Sequence, residues 1–124
     1  MSFTPYIAVG LGVLALGAGA SAASAKMIGS SSITGEFHVL NTSGTAKHPQ
    51  LIFLQATSSP LKWARLNWSL VCDGTKRMGG TTEYSPFKVT LPLPTKRPNK
   101  CAVSVSGQIW TGGGGRLTVR IFAR

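Results

Sequence analysis

The chain is 124 residues long, with thirteen Lys+Arg against three Asp+Glu, a net charge of +10 at pH 7 and 43% hydrophobic residues. That length allows one domain, and that apolar content is too high for a disordered chain. Only Glu36, Asp73 and Glu83 are acidic and only two cysteines occur. This argues against a carboxylate metal cage, a glycosidase-type carboxyl pair, a zinc finger and a disulfide-dense knot.

Every charged side chain lies beyond residue 25. From Tyr6 to Ala20 the chain is almost wholly apolar or glycine, and the run ends in Ala23-Ser24-Ala25 before Lys26. An apolar stretch closed by a small-x-small triplet reads as a secretory signal peptide, although no Lys or Arg precedes it. The alternative is a retained membrane anchor. Residues 3–25 as a helix would measure about 34 Å, enough to cross a hydrocarbon core. Against that, Gly10, Gly12, Gly17 and Gly19 weaken such a helix. The expected organisation is a signal peptide or anchor over 1–25, a flexible lead-in over 26–32 and one β-sandwich domain over 33–124.

Beyond residue 32 no helical period of useful length occurs. Short apolar runs are separated by turn signals: Asn41-Thr-Ser-Gly44, His48-Pro49, Ser58-Ser-Pro60, Asp73-Gly74, Gly79-Gly80, Pro92 to Asn99 and Gly112 to Gly115. Dense punctuation between β-rich runs is an all-β pattern. Ile33–Leu40, Gln50–Thr57 and Tyr84–Leu91 read as weaker strands, with Pro86 marking an edge or bulge in the last. Three stronger runs alternate cleanly. In Leu61–Cys72 the inward face carries Ala64, Leu66, Trp68, Leu70 and Cys72. In Lys100–Trp110 it carries Cys101, Val103, Val105, Gly107 and Ile109. In Arg116–Arg124 it carries Leu117, Val119, Ile121 and Ala123.

Six or seven antiparallel strands predict a two-sheet sandwich. Cys72 and Cys101 both fall on inward faces, so a disulfide joining two facing layers is expected. It would enclose residues 73–100 and stabilise the fold by about 3–4 kcal/mol in the chain-entropy model. An even cysteine count on inward positions agrees with export to an oxidising compartment.

The runs LNWSLVCDGT (Leu66–Thr75), KCAVSVSGQ (Lys100–Gln108) and RLTVRIFAR (Arg116–Arg124) resemble small exported β-sandwich proteins of actinobacteria. With Trp68 near one of two core cysteines, the pattern also resembles an immunoglobulin-like sandwich. The resemblance covers residues 60–124. It implies an immunoglobulin-like fold and an extracytoplasmic location, and no activity.

Catalytic sets are thin. Glu36 and His38 share one face of a predicted strand, with Lys47 and His48 soon after. A carboxylate beside imidazoles is the minimum for acid–base work on a phosphodiester, so a small secreted ribonuclease or toxin is one alternative. No nucleophile elbow or phosphate loop occurs, and Asp73-Gly74 reads as a turn. No cofactor, metal site or catalytic residue is expected.

The basic surface is the strongest functional signal. Lys76 and Arg77 fall in one predicted loop, and Lys96, Arg97 and Lys100 in the Pro-rich stretch LPLPTKRPNK (Leu91–Lys100). Arg116, Arg120 and Arg124 line the outer face of the last strand, and a hairpin over 111–115 would set Trp110 opposite Arg116. Arginines among aromatics hold anionic chains by charge pairing and stacking. The leading expectation is a non-enzymatic secreted or envelope-associated protein whose partner is an anionic envelope polymer or another protein. Specific nucleic-acid recognition is not expected, because no reading module is visible. A membrane role, as an anchored subunit of a complex, follows only if the N-terminal helix is retained. Exposed strand edges leave room for self-association, though no residue of the sequence singles one out.

Overall fold

The computed structural model describes residues 25–35, 38–109 and 115–124. Eight strands follow one another: β1 (Lys26–Thr34), β2 (Leu40–Lys47), β3 (Ile52–Ser59), β4 (Trp63–Cys72), β5 (Thr75–Tyr84), β6 (Phe87–Thr90), β7 (Lys100–Ile109) and β8 (Arg116–Ala123). They form two four-stranded antiparallel sheets, ordered β1-β8-β3-β6 and β2-β7-β4-β5. The expected all-β sandwich is therefore present.

The three strong alternating runs place their apolar faces inward as the two-residue period requires. Leu66, Leu70, Val103, Leu117, Val119 and Ile121 are buried with Ile52 and Leu54 of β3. Partly buried Trp68, Phe87, Val89 and Leu93 pack against this core.

The topology differs from the immunoglobulin-like expectation. β1 pairs with β8, β2 with β7, β3 with β6 and β4 with β5, so the chain is a nested hairpin of eight strands rolled onto itself. Every connection except β4–β5 passes from one sheet to the other. That is the jelly-roll arrangement. The disulfide follows suit. Cys72 and Cys101 are bonded, but they are register partners on adjacent strands β4 and β7 of one sheet. It therefore does not join two facing layers, as the immunoglobulin pattern would.

Several local expectations are also corrected. Residues 26–32 are not a flexible lead-in but most of β1, whose Ile28 and Ile33 pack against the core. β1 ends at Thr34 and β2 begins at Leu40, so the two ends of the strand expected over Ile33–Leu40 belong to different strands. Asn41-Thr-Ser-Gly44 and Gly79-Gly80 lie inside β2 and β5 rather than in turns, and Lys76-Arg77 lie in β5 rather than in a loop. Pro86 sits between β5 and β6, so Tyr84–Leu91 is not one strand. The physical reason is shared: these segments pair at sheet edges, where backbone hydrogen bonds rather than apolar alternation hold them. The leading segment, residues 1–24, lies outside the described residues.

At the β1/β2 edge the two sheets nearly touch. A Cβ on Gly29 would lie 2.5 Å from the Ser43 carbonyl oxygen, and one on Gly44 would lie 2.6 Å from that of Ile28. Two backbones meet there because neither glycine carries a side chain. Gly44→Val should therefore lower the unfolding free energy by about 1–3 kcal/mol through overpacking, measured by urea denaturation. Thr45→Val, on the exposed outer face next door, should stay within about 0.5 kcal/mol of the parent.

Candidate anion-binding site

One end of the sandwich is built from the start of β1, the β2–β3 connection, the Asp73-Gly74 turn, the β6–β7 connection and the end of β8. The hydrogen-bond phase of the β2-β7-β4-β5 sheet organises it. Cys72 and Cys101 have Cα atoms 4.1 Å apart, the spacing of an antiparallel pair without mutual hydrogen bonds. The next pair is consequently bonded: Asp73 N–H donates to the Lys100 carbonyl at 3.1 Å. Lys100 therefore turns its backbone polar groups toward β4, and its β2 partner Lys47 forms a non-hydrogen-bonded pair with it. Side chains are closest in such pairs, and like charges there repel. Lys76 projects from the same outer face, since its partner Val71 pairs with Ala102, two residues from Lys100.

Asp73 supplies the only side-chain carboxylate among the described residues at this end. It accepts from the backbone N–H of Asn99 at 2.8 Å and of Lys100 at 3.1 Å. The β6–β7 connection is thereby pinned to the β4–β5 turn. His48 N–H donates to the Asn99 carbonyl at 2.7 Å and draws in the β2–β3 connection. His48, Asp73 and Arg97 have φ of 49°, 50° and 49°, and no other described non-glycine residue has positive φ. For Asp73, followed by Gly74 at φ 86°, this is ordinary two-residue hairpin geometry. For His48 and Arg97 the left-handed backbone is uncommon, and such residues gather at functional sites.

Two shallow grooves open here. One, of about 620 Å³, is lined by Pro49, Gln50, Leu93, Pro94, Thr95, Lys96 and Arg97. The other, of about 350 Å³, shares Pro49 and is lined further by Lys26, Lys47 and Arg124. Each carries a buried polar atom without a hydrogen-bond partner: Thr95 Oγ1 in the first and Arg124 Nε in the second. Both can donate. Those two atoms are closed off from the grooves, so the exposed Lys47, Lys96 and Arg97 are what an oxyanion such as a phosphate or carboxylate would meet.

The sequence-predicted residues are thus sorted. Lys76, Lys96, Arg97, Lys100 and Arg124 share this end, joined by Lys26 and Lys47, so seven of the thirteen cations meet there. Sequence reading missed Lys26 because β1 read as a lead-in, and it grouped Lys47 with Glu36, His38 and His48 rather than with the basic surface. Arg77, one residue further along β5, alternates to the other face from Lys76 and is not counted among the seven. Arg116 starts β8 and stands at the opposite end of the sandwich from Arg124. Arg120 lies midway on the outer face of the other sheet, in the register row Ser30–Arg120–Gln55–Lys88. The aromatic surface of that face is the Phe53–Phe122 stack, with centroids 5.0 Å apart and Lys88 Nζ 5.2 Å from the Phe53 centroid. Trp110, expected opposite Arg116, lies outside the described residues.

The two histidines of the acid–base set are not brought together. His38 is in the β1–β2 connection, with Nδ1 3.0 Å from the Thr34 carbonyl, and His48 is in the β2–β3 connection. The eight residues of β2 between these connections extend for about 26 Å. Glu36 lies outside the described residues.

Asp73→Ala should free the Asn99 and Lys100 amides, raising their hydrogen-exchange rates roughly tenfold or more while the core amides of β3 stay protected. Comparison of the chain with protein-family models, curated proteins and solved structures finds no match.

Proposed function

We propose that this protein is a non-enzymatic, extracytoplasmic module that holds an anionic polymer of the cell envelope at its basic end. The observation that carries this reading is the Lys47–Lys100 pair. Two ammonium groups sit on closely spaced, directly opposed positions, with Lys76 on the same face and the nearby carboxylate engaged by backbone amides. Such a pair costs stability in the free protein and is relieved by a bound anion. The grooves beside it offer Lys96 and Arg97 to one anionic group and Lys26, Lys47 and Arg124 to another. Repeated phosphates or carboxylates along a polymer match this spread of separate cations better than one small ligand does. An oxidising location is supported by the Cys72–Cys101 bridge and by the apolar leading stretch with its small-x-small ending.

Binding to poly(glycerol phosphate), followed by titration at several salt concentrations, tests the reading. Affinity should fall steeply with salt. Lys47→Glu together with Lys100→Glu should weaken binding at least tenfold and reduce the slope of log K against log[salt] by about 1 to 2. Arg116→Glu, at the far end, should change affinity by roughly twofold or less. Salt-insensitive binding, no binding at low ionic strength, or an equal loss in both variants would count against the basic end as the site.

A further inference from the structure

The sandwich has four edge strands, and they are not equally protected. β1 and β2 guard each other where Gly29 and Gly44 bring their backbones together. β6 is four residues long. β5 is ten residues long, pairs only with β4 among the described residues, and leaves Met78 70% and Tyr84 52% exposed. A long, open edge of this kind is a template for another strand.

The phase of the sheet says which backbone groups are on offer. Asp73 bonds to Lys100, so Cys72 turns its polar groups toward β5 and closes the two-residue hairpin with Thr75. From there odd-numbered residues of β5 bond to β4, and Lys76, Met78, Gly80, Thr82 and Tyr84 direct their N–H and C=O groups outward. A strand pairing antiparallel with β5 must meet these even positions. If that strand is a second β5, even residues pair only with even ones, so the paired numbers add to an even sum.

We propose that β5 pairs with β5 of a second copy of this chain about a two-fold axis at Gly80. In that register Arg77 faces Glu83 of the second copy, and Glu83 faces its Arg77, so two opposite-charge pairs form on one face. Arg77 and Glu83 sit in non-hydrogen-bonded pairs, where side chains are closest. On the other face Lys76 meets Tyr84 of the second copy, twice. The Tyr84 ring is held in place by Trp63, with centroids 5.9 Å apart and planes at 77°, and by its hydroxyl donating to the Leu61 carbonyl at 3.1 Å. A cation beside such a ring is favourable. Gly80 lies on the axis without a side chain, and about ten main-chain hydrogen bonds form. Shifting the register by one step removes the Arg77–Glu83 pairs, and a register centred on Arg77 or Glu83 opposes like charges. The two-fold relation is isologous and closed, so it stops at a dimer with one continuous eight-stranded sheet. The basic ends then stand at opposite extremities of that sheet.

Sedimentation velocity on the full chain, with amide hydrogen exchange, tests the pairing. The parent should be a dimer, with the amides of Met78, Gly80 and Thr82 protected. Arg77→Glu and Glu83→Arg should each raise the dimer dissociation constant about tenfold to a hundredfold and release those amides. The double exchange Arg77→Glu/Glu83→Arg should restore both, which misfolded variants would not. A monomeric parent, a dimer indifferent to the single reversals, or a double variant that stays monomeric would overturn the proposal. Polymer binding is measured separately, so loss of the dimer with retained poly(glycerol phosphate) binding leaves the basic-end reading standing.

Discussion

The spacing of one residue pair sets the phase of an entire sheet. Cys72 and Cys101 oppose each other without mutual hydrogen bonds, at a Cα separation of 4.1 Å. Antiparallel ladders alternate strictly, so this pair determines every neighbour. It makes Asp73 and Lys100 a bonded pair, brings Lys47 and Lys100 into close opposition, and assigns the odd residues of β5 to β4. The covalent bond locks that phase as well as shortening the unfolded chain. A slip by one residue would turn Leu66, Leu70, Val103 and Val105 out of the core, so burial enforces the same register.

The basic end departs from what folding alone favours. Opposed lysines, two non-glycine residues other than Asp73 in the left-handed region, and buried donors without acceptors each carry a cost. The inner faces of the sandwich are close-packed aliphatics, and the far end buries Ser85, whose hydroxyl is hydrogen-bonded to that of Ser58. These local costs fall together at the end of the sandwich where the cations gather.

The two sheets are joined unequally. Their backbones meet at Gly29 and Gly44, whereas at the other margin Trp68 lies across Gly79 and half-closes the core beneath β5. A Cβ at Gly79 would strike the Trp68 ring. β5 is thus narrow in side chains where it covers the indole, and it depends on β4 for its whole length. That dependence leaves its outer edge open to a second strand.

Alternation in the sequence by itself determined an all-β chain, the inward faces of β4, β7 and β8, and the burial of both cysteines, because period-two patterning maps directly onto the two faces of a strand. Composition likewise singled out Lys76, Lys96, Arg97, Lys100 and Arg124, without indicating that they share one end. Alternation passed over β1, β2 and β5, whose Ser, Thr and Gly residues carry no apolar period and are held by backbone pairing. Only the tertiary structure decided the jelly-roll order, the placement of the disulfide within one sheet, and the gathering of Lys26, Lys47, Lys76, Lys96, Arg97, Lys100 and Arg124 at one end with Arg116 at the other. Those outcomes depend on which strands are neighbours. Neighbours far apart in the chain are chosen by the packing of whole sheets, which no local window of sequence contains.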